Sequence, residues 1–154
     1  MGCCQNAEEK IEEIQEVLNI HNKLREKHNS PPLKINETLN NLARECVRKL
    51  SNEETFSNNI CKGKFLGENI YIYNGKPFTV KDMFDVWYDE IKNYDRNQNK
   101  YQKNTSHFTQ MIWKETKEIG FAYKKSKSIY YAVVYYYPPG NTLGDYNENV
   151  LFSN

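Results

Sequence analysis

Apolar residues recur at helical spacing in two long segments near the start of this chain. The first segment predicts an amphipathic helix over residues 7–28, with glutamates in its first turn. Basic side chains, Arg25 and His28 among them, fill its last turn, as the helix dipole favours. A second helix is predicted to begin near Asn36, a good N-cap residue, and to run to Leu50. The buried face of the first helix is predicted to carry Ile11, Ile14, Leu18 and Leu24.

The pattern changes to strands further along the chain. Residues 70–73 are typical of a strand that ends at an Asn-Gly turn, and residues 119–125 and 129–137 predict a hairpin. The second hairpin strand is apolar or aromatic on both faces, so it is expected to be central. Two helices are predicted between these strands, one from Thr79 to Ile91 that opens with a capping box, and a short one ending at Ile112. Helices together with a small antiparallel sheet predict an α+β layered domain.

Length and composition favour a single globular domain. The chain has 154 residues, 38% apolar and 14% aromatic, and carries a net charge of +1 spread evenly along its length. No basic region suggests a nucleic-acid partner, and no apolar run approaches the roughly 18 residues of a membrane span. The N-terminus also lacks the apolar core of a secretory signal, so we expect the cysteines to lie in a reducing compartment. Cys46 is then predicted to be a core residue, and a Cys46–Cys61 disulfide is expected only if the chain is exported.

The first six residues resemble a lipid attachment site. Removal of Met1 would expose Gly2 for myristoylation, and Cys3 or Cys4 would carry palmitate, although Asn6 stands where Ser or Thr is usual. The acidic residues that follow would repel an anionic leaflet, so stable anchoring needs a second acyl chain rather than a basic patch. Residues 1–6 are therefore predicted to be an acylated segment and residues 7–154 a single domain.

Five segments, taken in order, resemble the CAP superfamily of cysteine-rich secretory, antigen 5 and pathogenesis-related proteins, and most closely its intracellular Golgi-associated branch. The resemblance implies a three-layer α-β-α sandwich around a small, mostly antiparallel sheet, myristoylation, and the absence of the secreted members' disulfides. It also implies binding of lipids or anionic phospholipids and self-association as a homodimer. The matching segments are 21–25 (His-Asn-Lys-Leu-Arg), 67–70 (Gly-Glu-Asn-Ile), 87–91 (Trp-Tyr-Asp-Glu-Ile), 106–113 (Ser-His-Phe-Thr-Gln-Met-Ile-Trp) and 135–141 (Tyr-Tyr-Tyr-Pro-Pro-Gly-Asn).

The same resemblance implies a cleft lined by two histidines and two glutamates. Glu68, Glu90 and His107 match three of these positions, but Ser57 stands near the place of the first histidine. The chain has no histidine between residues 28 and 107, so the cleft is expected to lack one imidazole. One histidine and two glutamates, His107, Glu68 and Glu90, would hold zinc only weakly. The alternative is a structural polar cluster, because Glu90 borders the buried face of its helix and needs a partner there.

Three functions follow as hypotheses. The first is a non-enzymatic CAP protein that is lipid-anchored to the cytoplasmic face of the Golgi, another endomembrane or the plasma membrane, and that binds lipids or a protein partner. The second is a metal-dependent hydrolase using the His107/Glu68/Glu90 cleft, although no Gly-x-Ser-x-Gly, His-Glu-x-x-His or Walker motif is present. The third is a secreted CAP effector. Two groups of residues are candidates for lipid binding. The aromatic candidates, whose alternative role is core packing, are Tyr71, Tyr73, Phe78 and Tyr130–Tyr137. The cationic candidates, whose alternative role is a solvated loop, are Lys92, Arg96, Lys100 and Lys103.

Overall fold

Five helices and four strands make up the part of the chain that the computed structural model describes, which is residues 5–52 and 65–153, with side chains from residue 11 onward. A 3-10 turn, Glu90–Asn93, directly follows α3. None of the described helices is long and apolar enough to cross a bilayer. In chain order the elements are α1 (Gln5–Lys27), β1 (Lys34–Ile35), α2 (Glu37–Asn52), β2 (Gly67–Asn74), α3 (Val80–Asp89), α4 (Ser106–Ile112), β3 (Glu118–Ser126), β4 (Ile129–Tyr137) and α5 (Tyr146–Asn149).

The four strands form one sheet in the order β1-β3-β4-β2. β3 and β4 pair as the predicted antiparallel hairpin, and β2 pairs antiparallel with the other side of β4. β1 adds two parallel residues at the far edge, Lys34 beside Glu118 and Ile35 beside Ile119. The expectation of a mostly antiparallel sheet with residues 129–137 at its centre is confirmed.

Helices cover both faces of this sheet, which confirms the three-layer α-β-α sandwich. The larger core joins α1, α3 and α4 to one face, where Val134 and Tyr136 of β4 point toward them. The smaller core joins α2 to the other face, where Val133 and Tyr135 meet Leu39. Successive side chains of β4 therefore feed two different cores, which is why this strand is apolar throughout.

Gly120 sets the distance between α2 and the sheet. A Cβ built at this position would lie 2.2 Å from the carbonyl carbon of Leu39 and 2.3 Å from the amide nitrogen of Asn40. Both atoms belong to the backbone of α2, so a side chain here would force the helix away from β3. Asn40 uses this close approach, because its Oδ1 accepts a hydrogen bond from the Phe121 amide at 2.9 Å.

The predicted helix starts are confirmed. The side chain of Asn36 accepts hydrogen bonds from the amides of Thr38 and Leu39 at 2.9 and 3.3 Å. The hydroxyl of Thr79 accepts from the amide of Asp82 at 3.1 Å, as the capping-box pattern requires.

Several local predictions were wrong. Ile11 is 66% exposed rather than part of the apolar face of α1. Glu90 lies in the 3-10 turn rather than in α3, and α1 ends at Lys27, one residue before His28. Arg25 lies in the last turn as predicted, and both Arg25 and His28 are buried. Cys46 is buried as expected, but it is also disulfide-bonded. The other three cysteines, Cys61 among them, lie outside the described residues, so the Cys46–Cys61 pairing stays a prediction.

Candidate functional site

His107 and Glu90 form a close pair where α4 meets the end of α3. Glu90 begins the 3-10 turn after α3, and His107 is the second residue of α4. The Nδ1 of His107 donates to Glu90 Oε1 at 2.6 Å, and the amide of Phe108 donates to Glu90 Oε2 at 3.0 Å. The partner that the sequence predicted for Glu90 is therefore present, and both carboxylate oxygens are engaged with the first turn of α4.

These hydrogen bonds determine the charge of Glu90. Burial of the carboxyl group, which is 17% exposed, would by itself raise its pKa. The hydrogen bonds from the His107 side chain and the Phe108 amide outweigh this effect and hold the pKa of Glu90 below its usual value. Glu90 is therefore ionised at neutral pH and acts as a hydrogen-bond acceptor.

The imidazole of His107 also has a defined position. Its ring stacks on the indole of Trp87, with 5.5 Å between centroids and 3° between planes. Trp87 is fully buried and contacts Tyr71 and Phe84 edge to face. One face of the imidazole is thus fixed against the core, while about a third of the side chain, 35%, is open to solvent.

A buried polar chain links this pair to α1. His21, fully buried, donates from Nδ1 to the Val17 carbonyl at 2.9 Å and accepts at Nε2 from the Tyr136 hydroxyl at 2.8 Å. Burial lowers the pKa of His21 to about 3, so it stays neutral. Asn69 then donates to both the Tyr136 hydroxyl and the His107 carbonyl, each at 3.2 Å. The chain joins α1, β4, β2 and α4 through side chains that are all satisfied.

Glu68 contacts a different part of the molecule. It lies opposite Tyr135 in the pairing of β2 with β4. Burial raises the pKa of that tyrosine, and the negative charge of Glu68 and a hydrogen bond with it raise it further. Tyr135 belongs to the core beneath α2. Adjacent strand residues point to opposite faces, and it is Asn69, not Glu68, whose side chain reaches α4.

The proposed metal ligands are not gathered into one site. Among the described residues, no three His, Cys, Asp or Glu side chains are grouped so that they could hold one ion. The structure brings together Glu90 and His107 from the predicted set, and Ser57 lies outside the described residues. A zinc site made of His107, Glu68 and Glu90 therefore does not fit this arrangement, because zinc prefers about four ligands at close to 2 Å.

Arg25 is a buried residue whose role the sequence did not reveal. Its side chain is fully buried and donates to five backbone carbonyls: Pro31 at 2.7 Å, Met111 at 3.2 Å, Trp113 at 2.8 Å, Lys114 at 3.4 Å and Thr116 at 3.0 Å. Four of these carbonyls belong to the end of α4 and the turn after it, so Arg25 of α1 holds the C-terminal end of α4 while Glu90 holds its first turn. Desolvation lowers the pKa of Arg25 to about 10, which leaves it charged at neutral pH.

His28 contacts the segment near the C-terminus of the chain. It donates from Nδ1 to the Leu151 carbonyl at 2.6 Å and accepts from the Tyr88 hydroxyl at 3.0 Å, and its ring packs edge-on against Phe108 and Phe152. Burial lowers its pKa. For Arg25 the sequence signal was the matching 21–25 segment, which does not include His28. A basic residue at a helix end is ordinarily solvent-exposed.

The aromatic residues predicted for lipid contact form a separate cluster. Tyr71 stacks on Tyr73 at 5.9 Å, and Phe78 lies 5.1 Å from Tyr123 and 5.8 Å from Tyr130. All five rings are partly buried against the α1–α3 face of the sheet. They serve as the edge of the core, whether or not a ligand also contacts them.

Comparison with known proteins identifies the family. The model of the Cysteine-rich secretory protein family, CAP, matches residues 18–137. The human Golgi-associated plant pathogenesis-related protein 1 is 37% identical over 141 residues, which cover 88% of this chain and 90% of that protein. Secreted protein RBT4 of Candida albicans is 31% identical over 137 residues, 84% of this chain but only 36% of that protein. The solved structure of Schistosoma mansoni venom allergen-like protein 4 is 27% identical with a TM-score of 0.68, and the match covers 92% and 94% of the two chains. The chain belongs to the CAP family.

Proposed function

We propose that this chain is a non-enzymatic CAP-domain binding protein, tethered by N-terminal acyl groups to the cytosolic face of the Golgi or another membrane, where it binds lipids or a protein partner. One observation carries the non-enzymatic part. Both oxygens of Glu90 are committed to α4, one through His107 and one through the Phe108 amide. A carboxylate in this state positions a helix, and to accept or deliver a proton it would have to give up those contacts.

The competing hydrolase lacks an activated nucleophile. No hydroxyl or thiol of the described residues hydrogen-bonds to the His107 imidazole, whose one such contact there is with Glu90. Ser106 precedes His107 in the chain, yet the contacts that tie it down are made by its carbonyl, which accepts from Asn141 at 3.0 Å. A metal-bound water has no three-ligand site to form on in the same region.

The tether rests on the N-terminal sequence. Gly2, Cys3 and Cys4 stand immediately before α1, which begins at Gln5. A single myristoyl chain binds a membrane marginally, so a second acyl chain on Cys3 or Cys4 supplies stable attachment. The human relative that aligns with 88% of this chain is named for its association with the Golgi, which supports this location.

Membrane flotation of the full chain from its own cells tests the tether. Gly2→Ala and the Cys3→Ser/Cys4→Ser double variant should each move the protein from the membrane to the soluble fraction. Gln5→Ser is the matched control, since it leaves every acceptor in place, and His107→Ala should also stay bound. Retention of the double variant on membranes would refute the two-chain anchor, and release of His107→Ala would show that the cleft rather than the acyl groups holds the membrane.

A secreted effector is the second candidate, and the disulfide at Cys46 favours it. Structural disulfides persist in oxidising compartments, and one of the relatives is itself named a secreted protein. Intact-mass analysis of the native protein, alkylated before and after reduction, separates the candidates. Acyl masses with a free Cys46 support the tethered protein. An unmodified N-terminus with an oxidised Cys46 supports secretion and contradicts the tether.

A further inference from the structure

A groove of about 620 Å³ runs along the outer edge of β3, between α1 and α2. β1 pairs with β3 only at residues 118 and 119, and the next outward amide, that of Phe121, is taken by the Asn40 side chain. In the described part of the chain, no strand lies beside the remainder of β3 on that side. Five consecutive residues of β3, 121–125, line the groove together, so it encloses both faces of the strand edge. Such an edge offers regularly spaced amides and carbonyls to another extended chain.

The two walls of this groove differ in chemistry. On the α2 side lie Arg44 and Arg48, together with Lys124, which shares the sheet face of Gly120 and Ala122. Arg44 is bonded to Glu37 at 2.8 Å, whereas neither Arg48 nor Lys124 makes a side-chain ion pair with any described residue. This wall therefore presents positive charge that no ion pair with a described side chain neutralises at Arg48 and Lys124.

The wall on the α1 side is mixed: it carries apolar and aromatic side chains, and Lys125 shares its face at the far end. Phe121 and Tyr123 point to this face, where Ile14 of α1 lines the groove beside them. The one acidic group in the groove, Glu13, accepts a hydrogen bond from the Tyr123 hydroxyl at 2.8 Å. An extended chain laid along β3 would thus meet Arg48 and Lys124 with every second side chain, and Ile14 and Tyr123 with those between, as far as Lys125 at the end of the groove.

We infer that this groove binds an extended segment of a protein partner in which acidic and apolar residues alternate, added to the sheet as a strand beside β3. Acidic side chains would face Arg48 and Lys124, apolar side chains would face Ile14 and Tyr123, which are partly exposed, and the backbone would pair with the strand edge. The five lining residues of β3 span about 16 Å, so an eight-residue segment covers the groove. This inference depends on the proposed function only in treating the domain as a binding module, and it is independent of the acyl anchor.

Fluorescence anisotropy with two labelled octapeptides tests the inference on the purified full chain. One peptide alternates Glu and Val, and the other has the same composition with four Glu followed by four Val. The alternating peptide should bind at least about tenfold more tightly, because only it places its charges on one face of a strand. The Arg48→Glu/Lys124→Glu variant should weaken its binding by about tenfold or more, since each reversal replaces an attraction with a repulsion.

Lys103→Glu is the matched control, an exposed reversal on a loop outside the groove, and should change the affinity less than about twofold, because solvent screens distant charges. Thermal melting checks that each variant folds, and Lys124→Gln replaces the double variant if that one does not. Equal affinity for the two peptides, absence of binding, or binding unchanged in a folded variant would overturn the inference. So would vesicles of phosphatidylcholine and phosphatidylserine binding through Arg48 and Lys124 while the peptides do not. Failure of the acyl anchor would instead appear as retention of the Cys3→Ser/Cys4→Ser variant on membranes, with peptide binding intact.

Discussion

Replacement of Arg25 by methionine should be among the most destabilising single changes in this domain. The guanidinium donates to five buried or partly buried carbonyls, and a hydrogen bond from a charged donor contributes at least about 1.5 kcal/mol. The gross contribution of the five hydrogen bonds is then about 7.5 kcal/mol. Burial offsets part of it, because the fall of the pKa of Arg25 from 12.5 to about 10 corresponds to about 3.4 kcal/mol. The expected loss on Arg25→Met is therefore about 4 kcal/mol, within the usual range for breaking a buried charged network.

Equilibrium unfolding in urea, followed by tryptophan fluorescence, measures this loss. Trp87 and Trp113 are both buried, so their emission reports on the packing that Arg25 supports. Arg25→Lys should lose about 2 kcal/mol, since one ammonium retains the charge but cannot reach all five carbonyls. Arg48→Met is the control, an exposed arginine on α2 expected to change the free energy of unfolding by less than about 0.5 kcal/mol. If the free energy of unfolding of Arg25→Met lies within about 1 kcal/mol of the parent value at an unchanged m-value, other donors satisfy the carbonyls and the prediction is wrong.

Three further predictions concern pH, helix packing and the cleft. The pKa of His21 is about 3 in the folded protein against 6.5 in its ordinary state, so between these values the unfolded chain binds more protons. The free energy of unfolding should then fall as the pH decreases from 6.5, by up to about 1.4 kcal/mol per pH unit from His21. Urea titrations that give the same free energy of unfolding from pH 6 to pH 4 would contradict this prediction. Gly120→Ala should lower the free energy of unfolding by about 3 kcal/mol, because the new Cβ meets the backbone of α2. Gly144→Ala is the control and should lower it by about 1 kcal/mol, because Gly144 has a φ of +86° but open space around it. Equal losses would show that α2 moves to accommodate the Cβ at position 120. Glu90→Gln should lower stability by about 1–2 kcal/mol, and calorimetric titration of the parent with zinc should show no stoichiometric micromolar site. A micromolar site abolished by His107→Ala would refute the structural interpretation of the cleft.

The layered fold could be predicted because its main helices and strands are determined by interactions between residues close in the sequence. Apolar spacing located α1 and α2, and the side chains of Asn36 and Thr79 marked where helices begin. Strand β1 was missed because it has only two residues and is defined by its partner, β3, far along the chain. Short elements that depend on distant pairing leave no period to detect.

The candidate site was only partly predictable for a related reason. The position of Glu90 beside a buried helix face predicted that its carboxylate has a hydrogen-bond partner, and His107 is that partner. The burial of Arg25 could not be inferred from its neighbours, because four of its acceptors lie 86 or more residues away. Likewise, the separate surroundings of Glu68 and Asn69 depend on the pairing of β2 with β4, which no local pattern encodes.

The cations beside β3 also bear on self-association through this strand edge. An uncovered strand edge invites a second copy of the same chain to pair with it and to extend the sheet from molecule to molecule. Two such edges brought together here would place Arg44, Arg48, Lys124 and Lys125 of one copy close to the same residues of the other. The resulting repulsion opposes that growth most strongly at low ionic strength. The part of the β3 edge that no described strand covers would therefore disfavour pairing with a second copy of this chain and favour the acidic segment that we propose.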